Sequence, residues 1–320
     1  MSGPREGEVL VQVAYAGVNG GCETFRSRGE HWFADNREKQ AGFALGAEGV
    51  GLVAAVGPGV DGLAVGDAVS FVGGAFAEYV IAAAVRCSRI RSATPEAAAA
   101  RISGSTAMGA VLSMGEAKKG QVVLVTAGAG AAGSFAVQIA KHLGCKVVAT
   151  CGSAEKAQLL CSLGCDTIIN YRTRDLDAAL SKAYPQGVDL VVEHVGGDMF
   201  RTALRHLKDD GRLILVGYIS EYPHTNAYAS GHTAVPSESL GSAAAHDATT
   251  TQAFDLADIF WNQRVVEVAG THKTIYGKLY PSMEAAGAAR VQLQQLLDEG
   301  NIKALVDARQ FVGGGRLQPL

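Results

Sequence analysis

The stretch LVTAGAGAAG, Leu124 to Gly133, places Gly128, Gly130 and Gly133 in the order Gly-x-Gly-x-x-Gly. With 40 glycines in 320 residues, chance alone supplies about 0.6 such matches. A second match is present, Gly57, Gly59 and Gly62 in GPGVDG, so the flanking sequence has to separate them. GPGVDG runs into LAVGDAV, which has no helical stretch, and reads as a turn between strands. The first match follows the strand-like VVLVTA and opens a helical stretch over residues 131–143. There Phe135, Ala136, Ile139, Ala140 and Leu143 share one face, and Gly144 provides the stop. Another strand ends about 20 residues further on. In that setting glycine lets the backbone approach a pyrophosphate, and the helix N-terminus offers free N–H groups to it. Gly128, Gly130, Ala132 and Gly133 are therefore candidate nucleotide contacts.

Outward from this point the chain has two textures. Before it, GEVLVQVAYAGVN (7–19), EGVGLVAAV (48–56), DAVSF (67–71) and AFAEYVIA (75–82) are short strands separated by Gly and Pro turns. They predict a small β-barrel-like unit. After Pro95, strand and helix alternate: KVVAT (146–150), a helix over 154–163 ending at Gly164, then DTIIN, VDLVVE and RLILVG, ending near Asn170, Glu193 and Gly217. That succession predicts an α/β fold with a parallel, doubly wound sheet. RVVEVAG (264–270) reads as a sixth strand, and PSMEAAGAARVQLQQLLDEG as a helix ending at Gly300. Residues 229–251 are polar and aperiodic and read as an insertion.

Composition narrows the function classes. A hydrophobic fraction of 48%, a charged fraction of 18% and a net charge of −3 suit a folded, water-facing protein and point to no nucleic-acid or membrane partner. No segment has the apolar length of a membrane span, and MSGPREGE has no signal-like core. The six cysteines have no framework spacing, so free thiols in a reducing compartment are expected. The cytoplasm is the expected compartment, with peroxisome and mitochondrion left open.

After KVVAT, an NAD enzyme commonly carries an acidic residue for the ribose 2′-hydroxyl; here the chain reads Thr150-Cys151-Gly152-Ser153. Ser153 and Lys156 offer a hydroxyl and a cation instead, which suits a 2′-phosphate and favours NADPH. Lys156 also reads as an ordinary solvated helix residue.

The chain resembles the zinc-free branch of the medium-chain dehydrogenase/reductase superfamily. The blocks that carry this are AGVN (16–19), LGAEGVG (45–51), VGDAV (65–69), GAFAEYV (74–80), SGSTA (103–107), VTAGAGAAG, ATCGSAEK, LGCDTIINY (163–171), EHVGG (193–197) and GRLILVGYIS (211–220). Within the superfamily it is similar to the prostaglandin reductases, the prostaglandin reductase 3 type above all. The resemblance covers residues 7–225 and, more weakly, 264–312. It implies a GroES-like catalytic domain (1–91), a Rossmann NADPH-binding domain (92–303) and a return to the catalytic domain (304–320), with a site between the two domains. It implies hydride transfer from NADPH to the β-carbon of an α,β-unsaturated ketone or aldehyde, or reduction of a quinone, on a small hydrophobic carbonyl substrate in a homodimer.

By the same resemblance Lys156 and Tyr171 hold the 2′-phosphate, and Gly130 and Gly133 lie against the pyrophosphate. Asn19, Thr106, Val195, Gly196, Gly217 and Tyr218 surround the nicotinamide end. Tyr222 matches a tyrosine near the enone carbonyl, where its hydroxyl can donate to the developing oxyanion; as an alternative it is an aromatic wall residue. Cys22 and Glu48 stand where zinc enzymes carry ligands, but Ala47 replaces their histidine, so no metal is expected. Met108 stands where an aromatic residue often follows the Thr-Ala pair, and His194 is expected to be structural or solvated. The family carries a hairpin before GEVLVQV and a helix and strand after GGGRLQPL, so an incomplete catalytic domain is expected. A different class, an NADPH-binding redox-responsive or structural protein with little turnover, stays open beside the enzyme.

Overall fold

The computed structural model describes residues 3–22, 44–221 and 252–307. The alternating segments of the first part form β1 (Glu8–Gly17), β2 (Glu48–Val56), β3 (Ala68–Val72), β4 (Tyr79–Ala83) and β5 (Ser88–Arg89). They pair antiparallel in the order β4-β1-β2-β3-β5. Residues two apart on a strand share a face, and Val9, Val11, Val53, Val69, Phe71, Val80 and Ala82 together make one apolar core. The strand expected from Ala75 starts only at Tyr79. The Ala75 and Phe76 N–H groups donate instead to the carbonyls of Gly46 and Leu45, which holds that segment in a loop. GPGVDG is a turn leading from β2 toward β3.

A helical passage then leads to the second sheet. It begins at α1 (Pro95–Ala99), capped by Thr94, and continues through a π-helical turn (Ala100–Gly104), α2 (Ser105–Met108) and a second π-helical turn (Gly109–Ser113). The second sheet holds β6 (Val122–Val125), β7 (Lys146–Cys151), β8 (Thr167–Asn170), β9 (Val188–Glu193), β10 (Leu207–Leu215), β11 (Val265–Glu267) and β12 (Thr274–Tyr276). Their order is β11-β12-β10-β9-β6-β7-β8. All neighbours are parallel except the β11–β12 pair. The intervening helices are α3 (Ala131–His142), α4 (Ala154–Ser162), α5 (Leu176–Ala183), α6 (Gly197–Arg205), α7 (Leu256–Trp261) and α8 (Met283–Asp298).

The chain leaves β6 toward β7 and β8 on one side, then returns to lay β9 and β10 on the other. The crevice at the carboxyl ends of β6 and β9 is thus the topological switch point, where this architecture places ligands. The strand read in RVVEVAG is present but short. RVVEVAG supplies only the three-residue antiparallel edge strand β11. On this side of the sheet the parallel partner of β10 is β12, with Ile275 fully buried. Three residues give no readable alternation, which is why the sequence pattern missed it.

Candidate functional site

The glycine-rich turn sits at this switch point. The Ala127 N–H donates to Thr150 Oγ1 at 3.0 Å, the Gly128 N–H to the Thr150 carbonyl at 3.0 Å, and the Gly130 N–H to the Ala127 carbonyl at 2.8 Å. Ala127 carries φ +46°, an uncommon left-handed conformation for a residue with a Cβ. The turn is therefore pinned to β7 before α3 begins. A Cβ on Gly133 would run into the Ala127 carbonyl oxygen and stand 2.9 Å from Gly128 Cα, so only glycine lets the helix come this close. A Cβ on Gly128 would stand 2.8 Å from that of Ala149.

Helix termini around the sheet differ in a telling way. Ser153, Asp175 and Ser282 cap α4, α5 and α8 with side-chain oxygens. The N-cap of α3 is Gly130, which has no side chain to do so. The Gly197 N–H at the start of α6 donates to Glu221 Oε1 at 2.6 Å. The first turn of α3, exposed at Gly130 and Ala131, thus presents uncapped N–H groups and the positive end of a 12-residue helix, a cradle that fits a pyrophosphate.

At the end of β7, Ser153 is spent on the Lys156 N–H at 3.2 Å. The Lys156 side chain and the Tyr171 ring are both exposed. Tyr171 folds toward this strand end, its hydroxyl lying 2.6 Å from where a Gly152 Cβ would be. Lys156 and Tyr171 thus stand on the two chain segments that flank the edge of the turn.

The other wall is built from two laced loops. Glu193, at the end of β9, is fully buried. Its carboxylate accepts from the Val195 N–H at 3.0 Å, the Gly196 N–H at 3.0 Å and Thr126 Oγ1 at 3.2 Å. Burial pushes Glu193 up to about 7, against those hydrogen bonds, which lower it. Ser220 in turn donates its N–H and its hydroxyl to the Val195 carbonyl at 2.8 and 2.6 Å. Gly196, at φ +82°, lies against Tyr218, whose Cβ would be 3.0 Å from a Cβ there. The Tyr218 ring points into the core, where its hydroxyl meets Trp261 Nε1 at 2.5 Å. Tyr218 therefore meets this loop through its backbone and Cβ, and the Gly217 N–H donates to the Glu193 carbonyl at 3.2 Å. His194 is not solvated at its nitrogens: both ring nitrogens are buried with no hydrogen-bond partner among the described residues, and burial pulls the ring down to about 4.

The small sheet reaches this wall. A Cβ on Gly20 would stand 3.1 Å from Ile219 Cδ1, which places Asn19-Gly20 beside the loop after β10. Asn19 Nδ2 donates to Glu48 Oε1 at 2.7 Å. Glu48 is 1% exposed, and burial raises it to about 7, with Asn19, the Ile102 N–H and Arg101 opposing. Thr106 is half-buried in α2, and Met108 is fully buried.

Sequence reasoning gave no role to Glu193, Glu221 or the Glu48–Asn19 contact. EHVGG does place Glu193 two and three residues before the N–H groups it accepts from. The partner of Glu48 at Ile102 lies 54 residues away and left no local signal. Tyr222 and the insertion at 229–251 lie outside the described residues. All six cysteines are free thiols. Among the described residues, no three His, Cys, Asp or Glu side chains cluster as a metal site, and no helix is long and apolar enough to cross a membrane.

Known proteins match in the same two parts. Residues 5–92 match the alcohol dehydrogenase GroES-like domain and residues 131–258 the zinc-binding dehydrogenase domain. A probable quinone oxidoreductase of Leishmania amazonensis is 43% identical over 219 residues, 68% of this chain and 63% of that protein. Mouse prostaglandin reductase-3 is 41% identical over 221 residues, 68% of this chain and 57% of its own length. The chain thus spans less than two thirds of these curated relatives. Among solved structures, Escherichia coli quinone oxidoreductase complexed with NADPH superposes with a TM-score of 0.71 at 25% identity, covering 96% of this chain and 84% of that one. A mycobacterial protein complexed with NADPH gives 0.71 at 27% identity, covering 94% and 83%. A GroES-like sheet followed by a doubly wound sheet, matched in order by both domain families and by these relatives, leaves one conclusion: the chain belongs to the medium-chain dehydrogenase/reductase superfamily, among its quinone oxidoreductase-like members.

Proposed function

We propose that the protein is an NADPH-dependent oxidoreductase that reduces the conjugated C=C bond of α,β-unsaturated ketones and aldehydes. The observation that carries the reading is the uncapped N-terminus of α3 held close against the glycine-rich turn after β6 by Gly133 at the switch point. The relatives named prostaglandin reductase and 2-alkenal reductase (NADP(+)-dependent) support the substrate class. NADPH, when bound, supplies the hydride for the β-carbon. The chain's part is to bind and orient. The first turn of α3 receives the pyrophosphate, with Gly128, Gly130, Ala132 and Gly133 around it. Lys156 and Tyr171 take the 2′-phosphate. Asn19, Thr106, Val195, Gly196, Gly217 and Tyr218 close around the nicotinamide end, the Glu193 carboxylate keeping the Val195–Gly196 loop in place.

Charge developing on the carbonyl oxygen calls for a donor, and we assign Tyr222 to that role. Tyr222→Phe should lower kcat for a preferred enone about tenfold, the worth of one hydrogen bond to a charged group, while leaving NADPH affinity unchanged. Unchanged turnover removes Tyr222 from the mechanism.

The cofactor assignment is tested by titrating NADPH and NADH side by side against nucleotide fluorescence. The wild-type chain should bind NADPH more tightly. Lys156→Ala should weaken NADPH binding about tenfold, the loss of one charge-assisted contact, and leave NADH unchanged. Equal loss for both would make Lys156 a general electrostatic contributor rather than a 2′-phosphate ligand.

A second reading, reduction of quinones in the same cleft, is favoured by the Leishmania relative and the quinone oxidoreductase structures. Turnover on a panel of enones and quinones distinguishes the two. The reading includes a homodimer formed along the edge strand β11, whose outer side is unpaired among the described residues. Sedimentation of the purified chain decides that part.

A further inference from the structure

The buried Glu48 has a place in the site that its distance from the nucleotide turn conceals. It opens β2 directly across from Gly17 at the end of β1. A Cβ on Gly17 would stand 2.5 Å from Glu48 Oε1 and 2.7 Å from its Cγ, so the missing side chain is what lets the carboxylate lie across the strand. From there it reaches two donors on separate segments. Oε1 accepts from Asn19 Nδ2 at 2.7 Å, and Oε2 accepts from the Ile102 N–H at 2.5 Å, in the π-helical turn that leads to the second sheet.

The chemistry of these partners fixes an orientation. An ionised carboxylate only accepts hydrogen bonds, and a planar amide carries its oxygen and its NH₂ on opposite sides. The Asn19 amide must therefore give its NH₂ to Glu48 and turn Oδ1 the other way. Among the described residues Oδ1 has no donor, and the next residue, Gly20, abuts Ile219 at the loop beyond β10.

We infer that Glu48 is a positioning residue: it locks the Asn19 amide so that Oδ1 is the hydrogen-bond acceptor offered to an N–H or O–H donor at the nicotinamide end. This rests on the cofactor reading above. Protonating Glu48 releases the lock, because its O–H can then donate to Asn19 Oδ1 and hold the amide in the reverse orientation. Among the described residues, the groups acting on Glu48 are few. Arg101 is the charge that lowers it, and Cys87, Tyr280 and Arg290 act on Arg101 in turn. The raised value of about 7 puts the release near neutral pH.

Glu48→Gln tests the lock, since the Ile102 N–H must still be met by the new oxygen, which leaves an NH₂ facing Asn19 and forces the amide to turn over. NADPH dissociation constants are read by fluorescence for the wild type, Glu48→Gln, Asn19→Ala and the double variant between pH 6 and 8. We expect Glu48→Gln to bind about tenfold more weakly at pH 8, the worth of one hydrogen bond. The wild type should approach it as pH falls, after the 2′-phosphate titration common to all four is divided out. The double variant should bind no more weakly than Asn19→Ala. If Glu48→Gln does not fold, Asn19→Ala alone still decides, because its corrected affinity must be flat with pH. Wild-type binding that Glu48→Gln leaves unchanged, or an equal loss in the Asn19→Ala background, overturns the inference and spares the cofactor reading. A wild-type chain that binds no NADPH overturns the cofactor reading, and this inference with it.

Discussion

Gly133→Ala should lose about 100-fold in NADPH affinity and about 2 kcal/mol in stability. The new methyl group has nowhere to go, because the Ala127 carbonyl oxygen and Gly128 Cα already occupy its position. Overpacking of this kind costs about 1–3 kcal/mol. The obstacle is backbone, so relief comes only by moving α3 away from the turn. Moving the helix withdraws its first-turn N–H groups from the pyrophosphate; losing two charge-assisted bonds at about 1.5 kcal/mol each accounts for the affinity. Gly130→Ala is the contrast. Its backbone, at φ −80° and ψ 176°, accepts any residue, and a Cβ there meets nothing nearer than the Ala127 oxygen at 3.1 Å. That variant should keep most of its stability and lose affinity through bulk at the phosphate. Fluorescence titration and urea unfolding of both variants check this; a Gly133→Ala protein with wild-type affinity and midpoint would dispose of the close-approach argument.

A second large effect concerns pH. Glu48 and Glu193 are each raised from 4.5 to about 7 by burial, and His194 is lowered from 6.5 to about 4. Between pH 4.5 and 7 the native state keeps two carboxyl protons that the unfolded chain has lost, so these groups make stability fall as pH rises. Between pH 4 and 6.5 the unfolded chain holds one imidazole proton that the native state rejects, so His194 makes stability rise. Up to pH 6.5 the net is one extra proton on the native state, a loss of about 1.4 kcal/mol per pH unit. Above it both carboxyls act unopposed until about pH 7.

The protein should therefore be about 3 kcal/mol more stable to urea at pH 5 than at pH 7.5, by the same linkage. Asp67, Asp166 and Asp177 are lowered by their hydrogen bonds and ion pairs, which outweigh desolvation where it acts, and their contribution is lost only below pH 3.8, outside this window. In Glu48→Gln the remaining carboxyl and the imidazole cancel, and the profile should be flat from pH 4.5 to 6.5. A wild-type stability that climbs from pH 5 to 7.5 contradicts the assignment of these three groups.

The fold was legible wherever it rests on local chemistry. The bounds of β2 follow from an apolar run closed by Gly57-Pro58, and α3 stops where Gly144 takes φ +77°. The nucleotide turn was separable from GPGVDG because one is followed by a helix and the other by a strand. What escaped depends on partners distant in sequence. β12 is a strand because β10 lies beside it, and three residues cannot announce that. The Glu48 contact joins residues 54 apart and the Thr126–Glu193 contact residues 67 apart. Both carboxylates stood inside recognised blocks, AEGVG and EHVGG, yet a sequence gives a residue's neighbours along the chain and not the N–H groups folded onto it. Lys156 and Tyr171 were readable as a pair only through resemblance, because the residues between them form a helix and a strand.

The strand order also governs what happens while the chain is being made. β6 is flanked by β7 and β9, and the second of these ends at residue 193, 68 residues after β6 is complete. Throughout that interval of synthesis the apolar VVLV strand has at least one open edge, and two until β7 is made, the situation that invites pairing with another nascent chain. At a typical elongation rate of about 5–20 residues per second the exposure lasts several seconds. Ribosome-associated holdases and slow codons before residue 193 thus act on opposite sides of yield, the first shielding that edge and the second prolonging its exposure.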